Sequence, residues 1–305
     1  MTAPGSVGDE GATQSARIPV SPSTTYTCSM WFRGAAGDVH INVNAYTGAG
    51  AYVTTHFGPS TPLTGAWQRI AFTFTTGATT GEVDLYALTY DAQAIAFRVD
   101  GVQLEARGYA SSTLDGSLGS GYAWTGTAHA STSTRAASRV RAPSWALDAR
   151  RGAAAVWARP AWGSGGAPAA PRPLRVAPSA NEVLELRFDD GTGRWRFDST
   201  HGGATDSVSS AVDSFPGGVS KVVVASWDEG SIAISVDGGM PVTAARAAGV
   251  PVLGATTVDL GSLDGSSGHL DGVIGPVAVF DRPLTPAELA VVGRLARPLG
   301  WHELG

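Results

Sequence analysis

One cysteine stands in 305 residues, Cys28. A single thiol excludes an intrachain disulfide framework and any zinc site built from several thiolates. It falls in the apolar alternation Tyr26, Cys28, Met30, Phe32, the setting of a small core residue. Lysine is as scarce: Lys221 is the only one, so nearly all of the cationic charge is arginine. Charged residues make up 15% of the chain, well under the share of about 25% usual in globular proteins. With a net charge of −5, there is no global basic field to hold a phosphate backbone, and nucleic acid is not an expected partner. Long apolar runs are missing too. No stretch reaches the roughly 18 residues of a spanning helix, so no membrane insertion is expected. The opening MTAPGSVGDEGATQSAR lacks the basic region and apolar run of a secretory signal.

Catalytic patterns are equally sparse. The six histidines, at 40, 56, 129, 201, 269 and 302, include no pair at i, i+4, the spacing that sets two ligands on one helix face. Gly163-Ser164-Gly165-Gly166 falls short of Gly-x-Ser-x-Gly and lies in a Gly/Ala/Pro loop, not between a strand and a helix. Glu82-Val83-Asp84 begins the acid run of jelly-roll glycosidases, but Ala87 stands where the third acid belongs. Retaining hydrolysis needs two carboxyl groups about 5 Å apart, and no spacing here supplies them. No phosphate-binding glycine loop is present. The arginines at 135, 139, 141, 150 and 151 are dispersed and lack interleaved aromatics. The expectation is a protein that is not an enzyme.

What the chain does have is strand pattern. TYTCSMWF (25–32), DVHINVNAY (38–46), AYVTTHF (51–57), WQRIAFTFTT (67–76), EVDLYALTY (82–90) and AIAFRVDGVQLE (94–105) alternate between Gly/Pro/Ser/Thr clusters. The second half repeats this in AAAVWARPAW (153–162), EVLELRFDD (182–190), GRWRFDST (193–200), SKVVVASWDEG (220–230), SIAISVDGG (231–239), TTVDLGSL (256–263) and HLDGVIGPVAVFD (269–281). Short, regularly spaced strands predict an all-β fold of two sandwiches of jelly-roll type. Asp190-Gly191 and Asp237-Gly238 suit positive φ and predict tight turns. Trp195 and Trp227 fall on alternating strands as core residues. One helix is expected, in LTPAELAVVGRLA (284–296), with Thr285 as N-cap, Pro286 at N1 and Glu288 closing a capping box. It would pack by Leu289, Val292 and Leu295.

Both halves then resemble known families. SARIPVSPSTTYTCSMWFRG, TGAWQRIAFTFTT and FRVDGVQLE resemble the β-sandwich carbohydrate-binding modules of the 4/9 type. WDEGSIAISVDG and HLDGVIGPVAVFDRPLTPAEL look like a laminin-G or concanavalin-A-like jelly roll. Between them, GYAWTGTAHASTSTR (121–135) is similar to a connector of minor tail proteins of phages infecting GC-rich bacteria. The resemblance implies a module over 1–108, an extended connector over 109–139 and a jelly roll over 140–305. In this expectation the connector lies along a neighbouring sheet, anchored by Tyr122 and Trp124. Modules of the 4/9 type begin with strands that precede the first match here. Either those strands come from another polypeptide or this is a fragment or trimmed domain, and a bare strand edge in the first sandwich, which a neighbouring chain could cover, is the expectation.

If Val39, Ile41 and Val43 face the core, then His40, Asn42, Asn44 and Tyr46 face out. On the fifth strand Asp84, Tyr86, Leu88 and Tyr90 share a face, and periodicity leaves open whether it is the inner or the outer one. Asn42, Asn44, Tyr46, Tyr86 and Tyr90 are the candidate glycan contacts, since rings stack on sugar C–H faces while amides meet hydroxyls. The alternative reading, of equal weight, makes the tyrosines core or interface rings, because strands are rich in Tyr. The second resemblance implies a calcium rim, with Asp259, Asp264 and Asp271 as oxygen ligands. Asp-Gly at 264–265 and 271–272 is also ordinary turn chemistry, the heavier of the two readings, so no cofactor is required and calcium is the one candidate ion.

The function this implies is a virion structural protein, a minor tail component that contributes to recognition of host-surface glycan. Its partners would be other tail proteins and a cell-surface glycan, and it would form a homo-oligomer, with a trimer as the candidate. It would lie in the virion tail and reach the extracellular space on lysis. The alternatives are an ancillary carbohydrate-binding region of a secreted carbohydrate-active enzyme, or a lectin-like protein of the host cell.

Overall fold

The computed structural model describes residues 2–13, 16–128, 131–136, 140–143, 147–254, 257–262 and 267–295. The chain is nearly all β and divides into two compact units, Met1–Arg135 and Ala136–Gly305. Every strand pairing is antiparallel.

In the first unit, β1 (Thr2–Ala3), β2 (Gly11–Thr13) and β3 (Ile18–Pro19) are short. The main strands are β4 (Thr25–Gly34), β5 (Asp38–Tyr46), β6 (Tyr52–Phe57), β8 (Gln68–Thr75), β9 (Glu82–Thr89) and β10 (Ile95–Glu105), with a two-residue β7 (Thr61–Pro62). One sheet runs β1-β10-β4-β8 and the other β2-β9-β5-β6, with β3 beside β9 and β7 beside β5. The period-two pattern decides which side is inside. Cys28, Met30 and Phe32 from β4 meet Val39, Ile41 and Val43 from β5 and Val83, Leu85 and Ala87 from β9. Burying a large apolar side chain of this kind stabilises by about 1.5–3 kcal/mol. Without a charge partner in this core, the Cys28 thiol is pushed up to about 12 by burial and stays protonated.

The expected bare edge is occupied. β2 pairs Gly11 with Leu88 and Thr13 with Tyr86, β3 pairs Ile18 with Val83, and β1 pairs Thr2 with Ala96. The chain's own first residues thus satisfy edge N–H and C=O groups that were assigned to a neighbour. Their short, Gly- and Ser-rich pieces carry too little alternation to be seen as strands.

The connector also differs from expectation. After β10 the chain crosses the outer face of the β10-β4-β8 layer, tied down by side chains of that face. Thr27 Oγ1 donates to Arg107 O (2.8 Å), Trp31 Nε1 to Thr113 Oγ1 (3.2 Å), and Leu114 N donates to Gln103 Oε1 (2.9 Å). GYAWTGTAHASTSTR then pairs with itself: β11 (Tyr122–Trp124) and β12 (Ser133–Arg135) form a hairpin. Trp124 closes over its own segment, with Nε1 donating to Ser117 Oγ at 3.0 Å. A hairpin satisfies its backbone locally, whereas a lone extended strand would depend on a neighbouring sheet.

The second unit begins with β13 (Val140–Pro143), β14 (Gly152–Pro160), β15 (Leu174–Ser179), β16 (Glu182–Asp189) and β17 (Arg194–His201), with a 3-10 turn at Ser164–Gly166. There follow β18 (Ala204–Val212), β19 (Lys221–Trp227), β20 (Ser231–Val236), β21 (Val242–Ala245), β22 (Thr257–Leu260) and β23 (Gly272–Phe280). They form a six-stranded sheet, β13-β22-β15-β16-β17-β18, and a five-stranded one, β21-β20-β19-β14-β23. Trp162, Phe188, Trp195 and Phe215 make an aromatic cluster with centroids 5.1–6.3 Å apart. Trp195 and Trp227 are core residues, 0% and 2% exposed.

Helix α1 (Pro286–Arg294) has the expected cap: Thr285 accepts from Glu288 N and Glu288 reaches back to the Thr285 N–H. With Leu284 and Leu289 it covers Ala153, Ala155 and Trp157 of β14, whose small alanines leave room for a helix. Val292 adds to this contact, but Leu295 lies past the last turn and is 42% exposed. The Asp237-Gly238 turn is as expected, with φ of 50° and 68°. At LRFDDGTGRWRF the positive φ falls on Gly193 (65°) instead of Asp190 or Gly191, because Gly193 N closes the turn onto Asp189 O at 2.8 Å.

Candidate functional site

The outer face of the β9-β5-β6 layer gathers the sequence candidates. Asn42 stands opposite Tyr86, Asn44 opposite Asp84 and Tyr46 opposite Glu82. Because Val83, Leu85 and Ala87 are buried in the core, the tyrosine face of β9 is the outer one. Leu88 also lies on it and is 8% exposed, opposite Gly11 of β2. Tyr90 extends the row just past the end of β9. It is 40% exposed, and its ring meets His40 edge-on at 5.3 Å.

Access is uneven along this face. Asn42 is only 4% exposed, lying between Tyr86 on β9 and Phe57 on β6, and its Oδ1 has no hydrogen-bond partner. It is therefore a supporting residue and not the open contact expected from alternation. His40 is 3% exposed, and burial holds its imidazole below the usual range, against the opposing pull of Asp9. Asn44 is half-buried, its Oδ1 accepting from Thr55 Oγ1 at 2.6 Å.

Four further residues complete the surface and were missed by sequence reasoning: Arg17, Tyr52, Thr55 and Phe57. A register shift between Ala45 and Tyr46 makes Tyr52 the partner of Tyr46. The extra residue, Val53, turns into the core cluster, as a β-bulge allows. Strict alternation separates Tyr52 from Phe57, whereas the bulge returns both to one face. Tyr52 is 60% and Phe57 67% exposed, and exposed aromatics on one sheet face are unusual in a folded domain unless something stacks there. Tyr46 and Tyr52 meet edge-on at 6.0 Å. The Tyr46 phenol is pushed up, by burial first and then by its bond to Asp84, with Asn44 opposing.

This arrangement offers flat rings next to an amide, two carboxylates and a guanidinium. That combination can hold a sugar ring by stacking and fix its hydroxyls by directed hydrogen bonds. Glu82 and Asp84 both face Arg17, at 3.6 and 3.8 Å, so neither stands clear as an isolated acid.

Of the metal candidates, Asp259 and Asp271 fall among the described residues. Asp259 lies within β22, 7% exposed, and pairs with Arg141 at 3.0 Å. Asp271 forms a turn at φ 44°, its carbonyl accepting from Ala161 N. Asp264 lies outside the described residues, as do Arg139, His129 and His302. Among the described residues no group of three or more His, Cys, Asp or Glu side chains could hold a metal ion, and no helix is long and apolar enough to cross a membrane.

Residues 2–92 match the family model of a carbohydrate binding domain of the 4/9 type. Solved structures with a similar fold include domain 4 of AbnA, a GH43 extracellular arabinanase from Geobacillus stearothermophilus in complex with arabinotriose. It is 14% identical, covering 57% of this chain and 82% of that one, with a TM-score of 0.43. The CBM40 of Ruminococcus gnavus IT-sialidase is 16% identical over 47% of this chain and 83% of its own, with a TM-score of 0.40. Domains LG4-5 of the mouse laminin alpha1 chain are 13% identical over 94% and 89%, with a TM-score of 0.35. No curated protein matches the chain. Residues 134–290, just over half of its length, match the family model described as the concanavalin A-like lectin/glucanases superfamily, and the chain belongs to that superfamily.

Proposed function

We propose that the chain is a glycan-recognition protein whose first unit contacts sugar through Tyr46, Tyr52, Phe57, Tyr86 and Tyr90, with Asn44, Asp84 and Arg17 as the polar contacts. The observation that carries this reading is the group of exposed rings, Tyr52, Phe57 and Tyr90, on the face that also bears Asn44 and Asp84, within a domain matching a carbohydrate-binding model. The proposed setting is a phage tail, with the chain as a minor tail component and other tail proteins as partners; this rests on the order of module, connector and jelly roll. A shallow site binds weakly on its own, and several copies around a tail would multiply it. No catalytic role is proposed, since the carboxylates nearest the face are engaged with Arg17.

The test compares the full chain with Tyr52→Ala/Tyr86→Ala on host cells and on immobilised cell-wall glycans. Loss of stacking worth about 1–3 kcal/mol per ring, by analogy with other aromatic platforms, would remove detectable binding while circular dichroism stays unchanged. Equal binding by both folded proteins would place the site elsewhere. Immunolabelled electron microscopy of virions tests the tail assignment, and release of reducing sugar above a buffer control would overturn the non-catalytic reading.

A further inference from the structure

We propose a second site in the first unit, an anion-binding groove between Arg33 and Arg98 that takes the oxyanion of an acidic glycan. The two arginines are direct cross-strand partners on β4 and β10. Like charges in that position repel unless a nearby carboxylate offsets them. Here neither has one: among the described residues no acid lies within ion-pair distance of either side chain. Arg33 Nε donates to Gly65 O at 3.2 Å, which holds the side chain and leaves its two terminal nitrogens unused. The Arg98 side chain makes no hydrogen bond to the described residues, so all five of its guanidinium N–H donors remain. In a chain of net charge −5, this is a local excess of two positive charges.

Between the arginines lies a groove of about 410 Å³, lined also by Gly34, Ala35, Gly65, Ala96 and Phe97. Apart from Phe97 the walls between the arginines are small residues, and a Cβ on Gly65 would meet nothing within 4 Å. A ligand could therefore approach the backbone while two forked guanidinium groups grip its oxyanion, the geometry in which arginine binds carboxylate and phosphate best. The groove is on the β10-β4 sheet, not on the aromatic face of β9-β5-β6. That the anion is carried by a sugar rests on the glycan reading above; that an anion binds does not. The shared chemistry is a uronic acid carboxylate or the phosphate of a phosphodiester-linked wall polymer.

Isothermal titration of the full chain at low ionic strength tests this with tri-galacturonate, glycerol 3-phosphate and uncharged tri-galactose as probes. At least one acidic probe should bind, and Arg33→Gln/Arg98→Gln should weaken it at least about tenfold. Added salt should weaken it as well. Whichever acidic probe binds more tightly identifies the source of the anion. Ala96→Glu, which brings a carboxylate to the groove from an exposed position, should give the same loss and covers the case of a double variant that fails to fold. Tyr52→Ala/Tyr86→Ala should leave acidic-probe binding intact, which separates failure of this site from failure of the aromatic face. Absence of binding by both acidic probes, or equal binding by wild type and the folded arginine and glutamate variants, would overturn the proposal.

Discussion

The Arg17 guanidinium lies 3.6 Å from the centroid of the Tyr46 ring, and the same cation stands 3.6 Å from Glu82 and 3.8 Å from Asp84. One side chain from the N-terminal segment thus holds a ring of the candidate face and balances two acids beside it. Its terminal nitrogen also donates to Gly50 O at 3.1 Å, tying in the turn between β5 and β6.

Replacement of Arg17 by Met keeps the apolar stem and removes the charge. At 35% side-chain exposure the stack and the ion pairs are screened, so the expected loss of stability is small, about 0.5–1 kcal/mol. Glycan binding should fall further than stability does, because Tyr46 loses the contact that orients it. Urea denaturation and glycan titration of the same variant measure the two effects, and a loss of stability with unchanged binding would remove Arg17 from the site.

Lys221, the only lysine, is a structural residue. It is 6% exposed, donates to Asp213 at 2.7 Å and Asp237 at 3.0 Å, and lies 4.7 Å from the Phe215 ring centroid. Burial lowers its affinity for a proton, but the hydrogen bonds to the two aspartates outweigh this and raise its pKa. The stabilisation is therefore fully present below the unfolded value of 10.5 and is lost as pH rises through the higher folded value. Lys221→Met strands two carboxylates; with Asp237 43% exposed, a loss of about 3 kcal/mol is expected, the low end for a broken buried pair. A lysine acylating reagent should label this residue only on unfolding, which mass spectrometry can follow.

The sequence made the sandwich class and the main strands legible because β4, β5 and β9 each keep strict alternation, and alternation is a local property. Thr285, Pro286 and Glu288 marked the helix start for the same reason. What was not legible depends on register. The bulge at Ala45–Tyr46 moves Tyr52 onto the candidate face, and only the pairing of β5 with β6 reveals it. Asn42 keeps its predicted side but is covered by its cross-strand neighbours, which no single strand announces. β1 and β2 are too short to show a period, so the edge they cover looked bare. Arg33 and Arg98 are 65 positions apart in the chain and meet only through the pairing of β4 with β10.

Gly238 should tolerate no side chain. Its φ is 68°, and a Cβ there would lie 2.2 Å from Arg294 Cγ and 2.6 Å from Ala290 O of helix α1. Left-handed backbone costs a non-glycine residue about 1–2 kcal/mol, and the clash with helix backbone adds to it. Gly238→Ala is expected to lose at least about 2 kcal/mol and to loosen the helix from the sheet. Gly230→Ala is the control: that position has no positive φ, and its Cβ would meet only Asp228 Oδ1 at 3.8 Å. Hydrogen exchange on residues 286–294 distinguishes local loosening from global loss, and equal melting of the two variants would contradict the argument.

The first unit should lose stability as the solution is acidified, through two histidines. His40 and His56 both have pKa values lowered from 6.5, in each case chiefly by burial. Neither ring nitrogen of His40 makes a well-formed hydrogen bond, although Asp9 Oδ1 lies 3.0 Å from Nε2, and His56 Nε2 is also without a partner. The His56 ring packs 5.0 Å from Phe74. Below 6.5 the unfolded chain binds protons that the folded one refuses. The stability contributed by the neutral imidazoles is thus present above that value and is lost as pH falls through the depressed folded values. His40→Gln and His56→Gln each remove one of these titrations. The expected outcome is a wild-type melting temperature that falls as pH drops below 6.5, and a flatter profile in each variant. Near-coincident slopes for wild type and the double variant would mean that acid sensitivity arises from carboxylates, not from these rings.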